Sequence, residues 1–67
     1  MRVTFVSDDE TQSPLHPTWT EAAIPAVGHI LHWRMGGFKP GIYQVESVEW
    51  VLDGSISVTV WIRFVKP

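Results

Sequence analysis

The sequence predicts an all-β fold: a four- to five-stranded, bent antiparallel sheet curling into a small SH3-like barrel, with one short helical turn; an OB-like variant or an open meander is the alternative. Three observations predict it. Residues 55–65 alternate regularly, with Ile56, Val58, Val60, Ile62 and Phe64 on one face and Ser57, Thr59, Trp61 and Arg63 on the other. Residues 42–52 also alternate but change apolar phase midway, as a bulged strand does. Glycine and proline then divide the rest into two further strand-length runs and their connections.

The first run, residues 1–7, places Val3 and Phe5 on one face and Arg2 and Thr4 on the other. Residues 8–27 follow as a long connection, with the acidic cluster Asp8-Asp9-Glu10 and the prolines Pro14, Pro17 and Pro25. A structureless loop of that length is unusual in a small domain. Thr18-x-x-Glu21 matches a capping box, and Pro25 stops a helix by Ile24. One or two helical turns are expected at Trp19–Ala23, with Trp19 or Ile24 plugging the end of the core. Residues 28–34 form the next strand. The loop 35–41 holds Gly36, Gly37, Pro40 and Gly41.

The last hairpin can be read in more detail. Tyr43 and Val45 share one parity, and Val48, Trp50 and Leu52 the other. One strand keeps both sets on a single face only if a residue is inserted, which predicts a bulge at Glu46-Ser47. A two-residue Asp53-Gly54 turn would set Trp50 opposite Ser57 and separate the apolar faces. A three-residue loop, Leu52-Asp53-Gly54 with Gly54 left-handed, pairs Val51 with Ser55, Trp50 with Ile56, Val48 with Val58, Val45 with Val60 and Tyr43 with Ile62. The expected core is therefore Tyr43, Val48, Trp50, Val58 and Val60, joined by Phe5.

Composition bounds the function. Sixty-seven residues, 45% hydrophobic and with a net charge of −2, make a single domain spanning residues 1–67 and exclude a disordered chain. The absence of cysteine excludes a disulfide scaffold and thiolate metal sites. No apolar run approaches the roughly 18 residues of a membrane span, and acidic residues arrive at Asp8 before a signal-peptide core could form. A soluble, cytoplasmic protein is expected. So small a chain needs reinforcement, either from its four tryptophans (Trp19, Trp33, Trp50, Trp61) or from self-association.

Catalytic and metal chemistry is weakly signalled. His29-x-x-His32 has ligand-like spacing, but residues three apart on a strand face opposite ways, even with His16 on a nearby loop. Asp8-Asp9-Glu10 lacks the glycine-punctuated pattern of a calcium loop and reads as a solvated turn. There is no G-x-S-x-G elbow, and the carboxylate pair Glu46 and Glu49 reads as exposed on a bulged strand. Gly36-Gly37 leads into a strand, whereas a phosphate-cradling loop opens a helix. No enzyme, metal or cofactor is expected.

Two binding surfaces are expected instead. Trp33, Arg34, Phe38 and Lys39 combine aromatic and basic side chains as single-strand nucleic-acid binders do, but the chain is acidic overall; the favoured arrangement is a flexible hairpin tip whose Phe38 folds back over the core, with a protein contact second and nucleic acid third. The stronger surface is the outer sheet face. Trp61 projects there beside Gln44, near Thr59, Arg63, Ile42 and Val51, and strand 28–34 adds either Ile30 and His32 or Leu31 and Trp33. Trp, Ile and Arg together match the composition of interface hot spots. The competing arrangement has segment 8–27 folded across this face, burying Trp61 under Trp19 or Leu15.

The function expected is thus binding of another macromolecule, a protein partner or a second copy, through Trp61, Arg63, Gln44, Ile42 and His32. Free-standing chains of this size resemble accessory or inhibitor proteins, including those of phages and mobile elements, by analogy alone. Nucleic-acid binding through the aromatic and basic loop is the alternative.

Overall fold

A computed structural model of the chain describes residues 2–17, 24–34 and 36–67. Four strands, β1 (Arg2–Ser7), β2 (Ile30–Trp33), β3 (Gly41–Leu52) and β4 (Ile56–Lys66), form one sheet in the order β1-β4-β3-β2. No helix occurs among the described residues, and the expected turn at Trp19–Ala23 lies outside them.

The sheet is mixed, which corrects the expected all-antiparallel pairing, and it is open rather than closed. β3 is antiparallel to both β4 and β2, whereas β1 runs parallel to β4, from Arg2 opposite Ser57 to Ser7 opposite Ile62. Side-chain alternation does not distinguish these directions, because either one presents Val3 and Phe5 to the same face. What permits the parallel pairing is the long connection from β1, at one edge, to β2, at the other.

Loops do the work that a closing strand pair would do. Leu15 forms a two-hydrogen-bond bridge with Phe5 on the outer edge of β1, at 2.8 and 2.9 Å. Its side chain packs against Gly37 of the loop between β2 and β3. Gln12 ties the same two regions: its Oε1 accepts the Lys39 N–H at 2.5 Å, and its Nε2 donates to Ser7 Oγ at 3.0 Å and to Tyr43 Oη at 3.4 Å. The two edges are thereby joined by side chains over a shared core.

That core holds Val3, Phe5, Trp33, Phe38, Tyr43, Val45, Val58, Val60 and Ile62. Its aromatic members interlock, with Trp33 5.6 Å from Phe5, 5.0 Å from Phe38 and 6.4 Å from Tyr43 between ring centroids. Tyr43 keeps its hydroxyl satisfied by donating to the Lys39 carbonyl at 2.7 Å, so a polar tip costs this core little.

The hairpin contains the expected irregularity: Val45 faces Ile62 and Ser47 faces Trp61, leaving Glu46 as the extra residue. Gly54 has φ +101°. The register, however, is displaced by two from the expected one. Asp53-Gly54-Ser55 forms the loop, and Leu52 pairs with Ile56, Trp50 with Val58, Val48 with Val60 and Tyr43 with Phe64. Both registers keep every inward pair apolar, so parity alone does not separate them. The observed one adds an edge-on contact between Tyr43 and Phe64, 5.3 Å between centroids. A second irregularity, between Ile42 and Tyr43, was not legible from alternation.

Trp50 is the main correction to the expected core. It lies on the inward side but is 52% exposed, and Val48 is only half-buried. The hairpin is longer than its neighbours: β3 spans 12 residues against six for β1 and four for β2. The end of β3 therefore runs past the material that would cover it.

Candidate protein-binding face

The outer face collects all five residues expected to bind a partner. Inward placement of Val58, Val60 and Ile62 turns Thr59, Trp61 and Arg63 outward on β4. Trp61 is 42% exposed and stands between Ser47 of β3 and Val6 of β1. One row along, Arg63 is opposite Gln44, which is opposite Ile30 of β2. In the next row His32 faces Ile42, and Ile42 faces Lys66. Trp33 is buried and Leu31 packs against the core, so β2 contributes Ile30 and His32.

Polar side chains beside Trp61 hold one another. Arg63 Nη2 donates to Gln44 Oε1 at 2.6 Å, and Gln44 Nε2 reaches the Gly28 carbonyl at 3.4 Å. Arg63 Nε lies 3.8 Å from Glu46 Oε1. Glu46 is the bulged residue, and a bulge re-aims a side chain that a regular strand would place elsewhere. This exposed ion pair contributes little to stability. Its consequence is orientational: Gln44 and Glu46 together fix the direction of the guanidinium on the face that also carries Trp61.

Segment 8–17 does not bury Trp61. Leu15 turns toward the core and Gly37, while His16 Nδ1 sits 3.0 Å from Thr4 Oγ1 at the sheet edge. Trp19 lies outside the described residues.

The aromatic and basic loop takes the folded-back arrangement favoured for it, which works against the alternative stacking role. Trp33 and Phe38 are 4% and 2% exposed, so neither ring offers a face for base stacking. Phe38 folds back over the core. Arg34 and Lys39 remain exposed, and Lys39 Nζ lies 4.0 Å from the centroid of the Phe64 ring. A cleft of about 350 Å³ lies beside this loop, lined in part by His32, Arg34, Ile42 and Pro67. A smaller cleft of about 170 Å³ follows the seam of Leu15, His16 and Gly36, with Trp33 also lining it. The buried Trp33 Nε1 has no hydrogen-bond partner among the described residues.

The other candidate groups are accounted for by local structure. His29 Nδ1 accepts the Ala26 N–H at 3.1 Å within a turn. No group of three His, Asp or Glu side chains among the described residues could hold a metal ion. Asp9 builds a turn: its Oδ1 accepts the Thr11 hydroxyl at 2.6 Å and the Thr11 N–H at 2.9 Å. Those bonds hold the Asp9 carboxyl below its usual range, with Lys39 adding a smaller pull in the same direction. No helix among the described residues is long and apolar enough to cross a membrane. No protein-family model matches the chain, and comparison with curated proteins and with solved structures returns no match.

Proposed function

We propose that the chain is a non-enzymatic, cytoplasmic protein-binding module that engages a partner protein through its outer sheet face, with Trp61 as the anchor. The curled sheet is read as an SH3-type barrel left open between its edge strands. One observation carries the functional reading: a large indole, 42% exposed, stands on a central strand beside an ordered Arg63–Gln44–Glu46 network. A ring fixed on a rigid strand loses little entropy on association, and Trp and Arg are the residues most enriched at interface hot spots. Ile42 and His32 extend the same face toward the cleft beside β2.

The test is replacement of Trp61 by serine. The variant should fold with the parent's circular dichroism and cooperative melt, because the ring is not among the buried core residues. Capture of the partner from a native lysate should weaken by about 2 kcal/mol or more, some thirtyfold in Kd. Undiminished capture by a folded variant would remove the outer face from the reading. Loss of folding would show that the face is covered in solution.

A further inference from the structure

We propose a second interaction surface, separate from the Trp61 face: the free edge of β3, residues 48–52, pairs antiparallel with the same edge of a second copy of this chain. The backbone states the opportunity. Val45 is the last residue of β3 bonded on the β2 side, donating to the His29 carbonyl at 3.0 Å and accepting the Gly28 N–H at 2.9 Å. There the incoming chain turns, with the His29 N–H bonded to the Ala26 carbonyl at 3.0 Å and Gly28 at φ +90°. Beyond Val45, β3 has no backbone partner on that side among the described residues.

The phase of the unpaired groups follows from β4. The Ile62 carbonyl accepts the Asp8 N–H, and the Phe64 N–H donates to Asp8 Oδ1, so even-numbered residues of β4 direct their backbone groups toward β1. Odd-numbered residues then bond to β3, with Ser57 opposite Val51, Thr59 opposite Glu49 and Trp61 opposite Ser47. Val48, Trp50 and Leu52 consequently direct N–H and C=O outward at the edge. These residues also carry the apolar side chains of the inward face, where Leu52 is 73% exposed. An edge with free backbone groups and exposed apolar side chains is a template for strand addition.

The occupant follows from self-complementarity. A two-fold axis through Trp50 sets Trp50 against Trp50 of the second copy and Val48 against its Leu52. Glu49 then lies opposite Val51, and Ser47 opposite Asp53. No two charges of like sign meet. Moving the axis one residue toward Glu46 would oppose Glu49 to its own copy. Moving it one residue the other way would oppose Glu49 to Asp53. Like charges directly opposite are destabilising, so the register centred on Trp50 is favoured over both of its neighbours. The edge is short, and the dimer it makes is weak and concentration-dependent.

Sedimentation velocity of the full chain, in a dilution series up to about 1 mM, tests this by resolving dimers with Kd near or below that value. A monomer–dimer equilibrium is expected. Val48→Pro removes an N–H facing the open edge and leaves the β3–β4 bonds in place, and it should weaken dimerisation about tenfold or more. Trp50→Lys, at a half-exposed site, should do the same and decides the matter if the proline variant does not fold. Trp61→Ser should leave the dimer intact, so failure here is distinguishable from failure of the outer-face reading. A monomer throughout the series would overturn the proposal. So would a dimer that survives Trp50→Lys, or one that only Trp61→Ser abolishes.

Discussion

The two ends of the β3–β4 hairpin share one alternation but have different fates. Near the start of β3, Tyr43 and Val45 meet Phe64 and Ile62 beneath a cover formed by β1, β2 and the folded-back Phe38, and all but half-buried Phe64 are nearly inaccessible. At the far end Trp50, Leu52 and Ile56 occupy the same face in the same phase and stand about half exposed or more. A strand of 12 residues spans roughly 40 Å at about 3.3 Å per residue. The molecule's longest dimension is 38 Å, whereas the other two are 23 and 22 Å. Pattern assigns a side chain to a face. Whether that face is covered depends on the length of the neighbouring strands.

The sharpest test compares one tryptophan from each end. Trp33→Ala empties the centre of the aromatic cluster and should cost about 3–5 kcal/mol, comparable to the whole stability of a domain this small. Trp50→Ala removes a ring that already faces solvent and should cost about 1 kcal/mol. Urea unfolding followed by circular dichroism, at concentrations low enough for a monomer, measures both. Equal losses would break the distinction between covered and uncovered ends.

Two glycines extend the comparison at smaller amplitude. Gly37 and Gly54 have φ +105° and +101°, a region that side chains rarely adopt. At Gly37, in the seam, a Cβ would also lie 2.5 Å from Leu15 Cδ1. At Gly54, in the exposed hairpin loop, it would meet nothing within 4 Å. Gly54→Ala should therefore cost about 1 kcal/mol from backbone strain alone. Gly37→Ala should cost about 2 kcal/mol, since Leu15 must also shift. Thermal melts of the two variants separate strain from crowding, and a Gly54→Ala loss as large as that of Gly37→Ala would leave the packing of Leu15 in the seam without energetic weight.

What alternation encodes was legible in the sequence, and what depends on distant partners was not. The bulge at Glu46, the left-handed Gly54 and the outward placement of Trp61, Arg63 and Gln44 all follow from parity between adjacent strands. Parity has a period of two, so the displacement of the hairpin by two residues left no trace in it. It is equally silent on whether β1 runs parallel or antiparallel to β4. The burial of Trp33 and Phe38 depends on a glycine-rich loop closing against Leu15 and Gln12, a contact between segments more than 20 residues apart. The aromatic and basic composition of that loop suggested a stacking surface, but its rings complete the core. The signal that could have warned of this is Gly36-Gly37, which gives the loop freedom to fold back.

The smallest effect expected is a pH dependence at the covered end. Thr11 donates two hydrogen bonds to the Asp9 carboxylate, which holds the folded-state pKa below its ordinary value of 3.8. A carboxyl so lowered favours the folded state while ionised. That contribution is complete above the unfolded-state value and is lost as pH falls through the folded one. The bonds shape the turn from which Gln12, its N–H bonded to the Asp9 carbonyl at 3.0 Å, reaches Lys39 and Tyr43. Asp9→Asn retains an acceptor oxygen for Thr11 but cannot titrate. Melts recorded from pH 7 down to about pH 3 should show the parent losing slightly more stability than the variant, with the excess appearing only at the acid end. The partly exposed position of Asp9 keeps this difference small, and salt should reduce only the minor part contributed by Lys39. An identical acid response in the two proteins would mean that the turn is held by its backbone bonds without help from the charge.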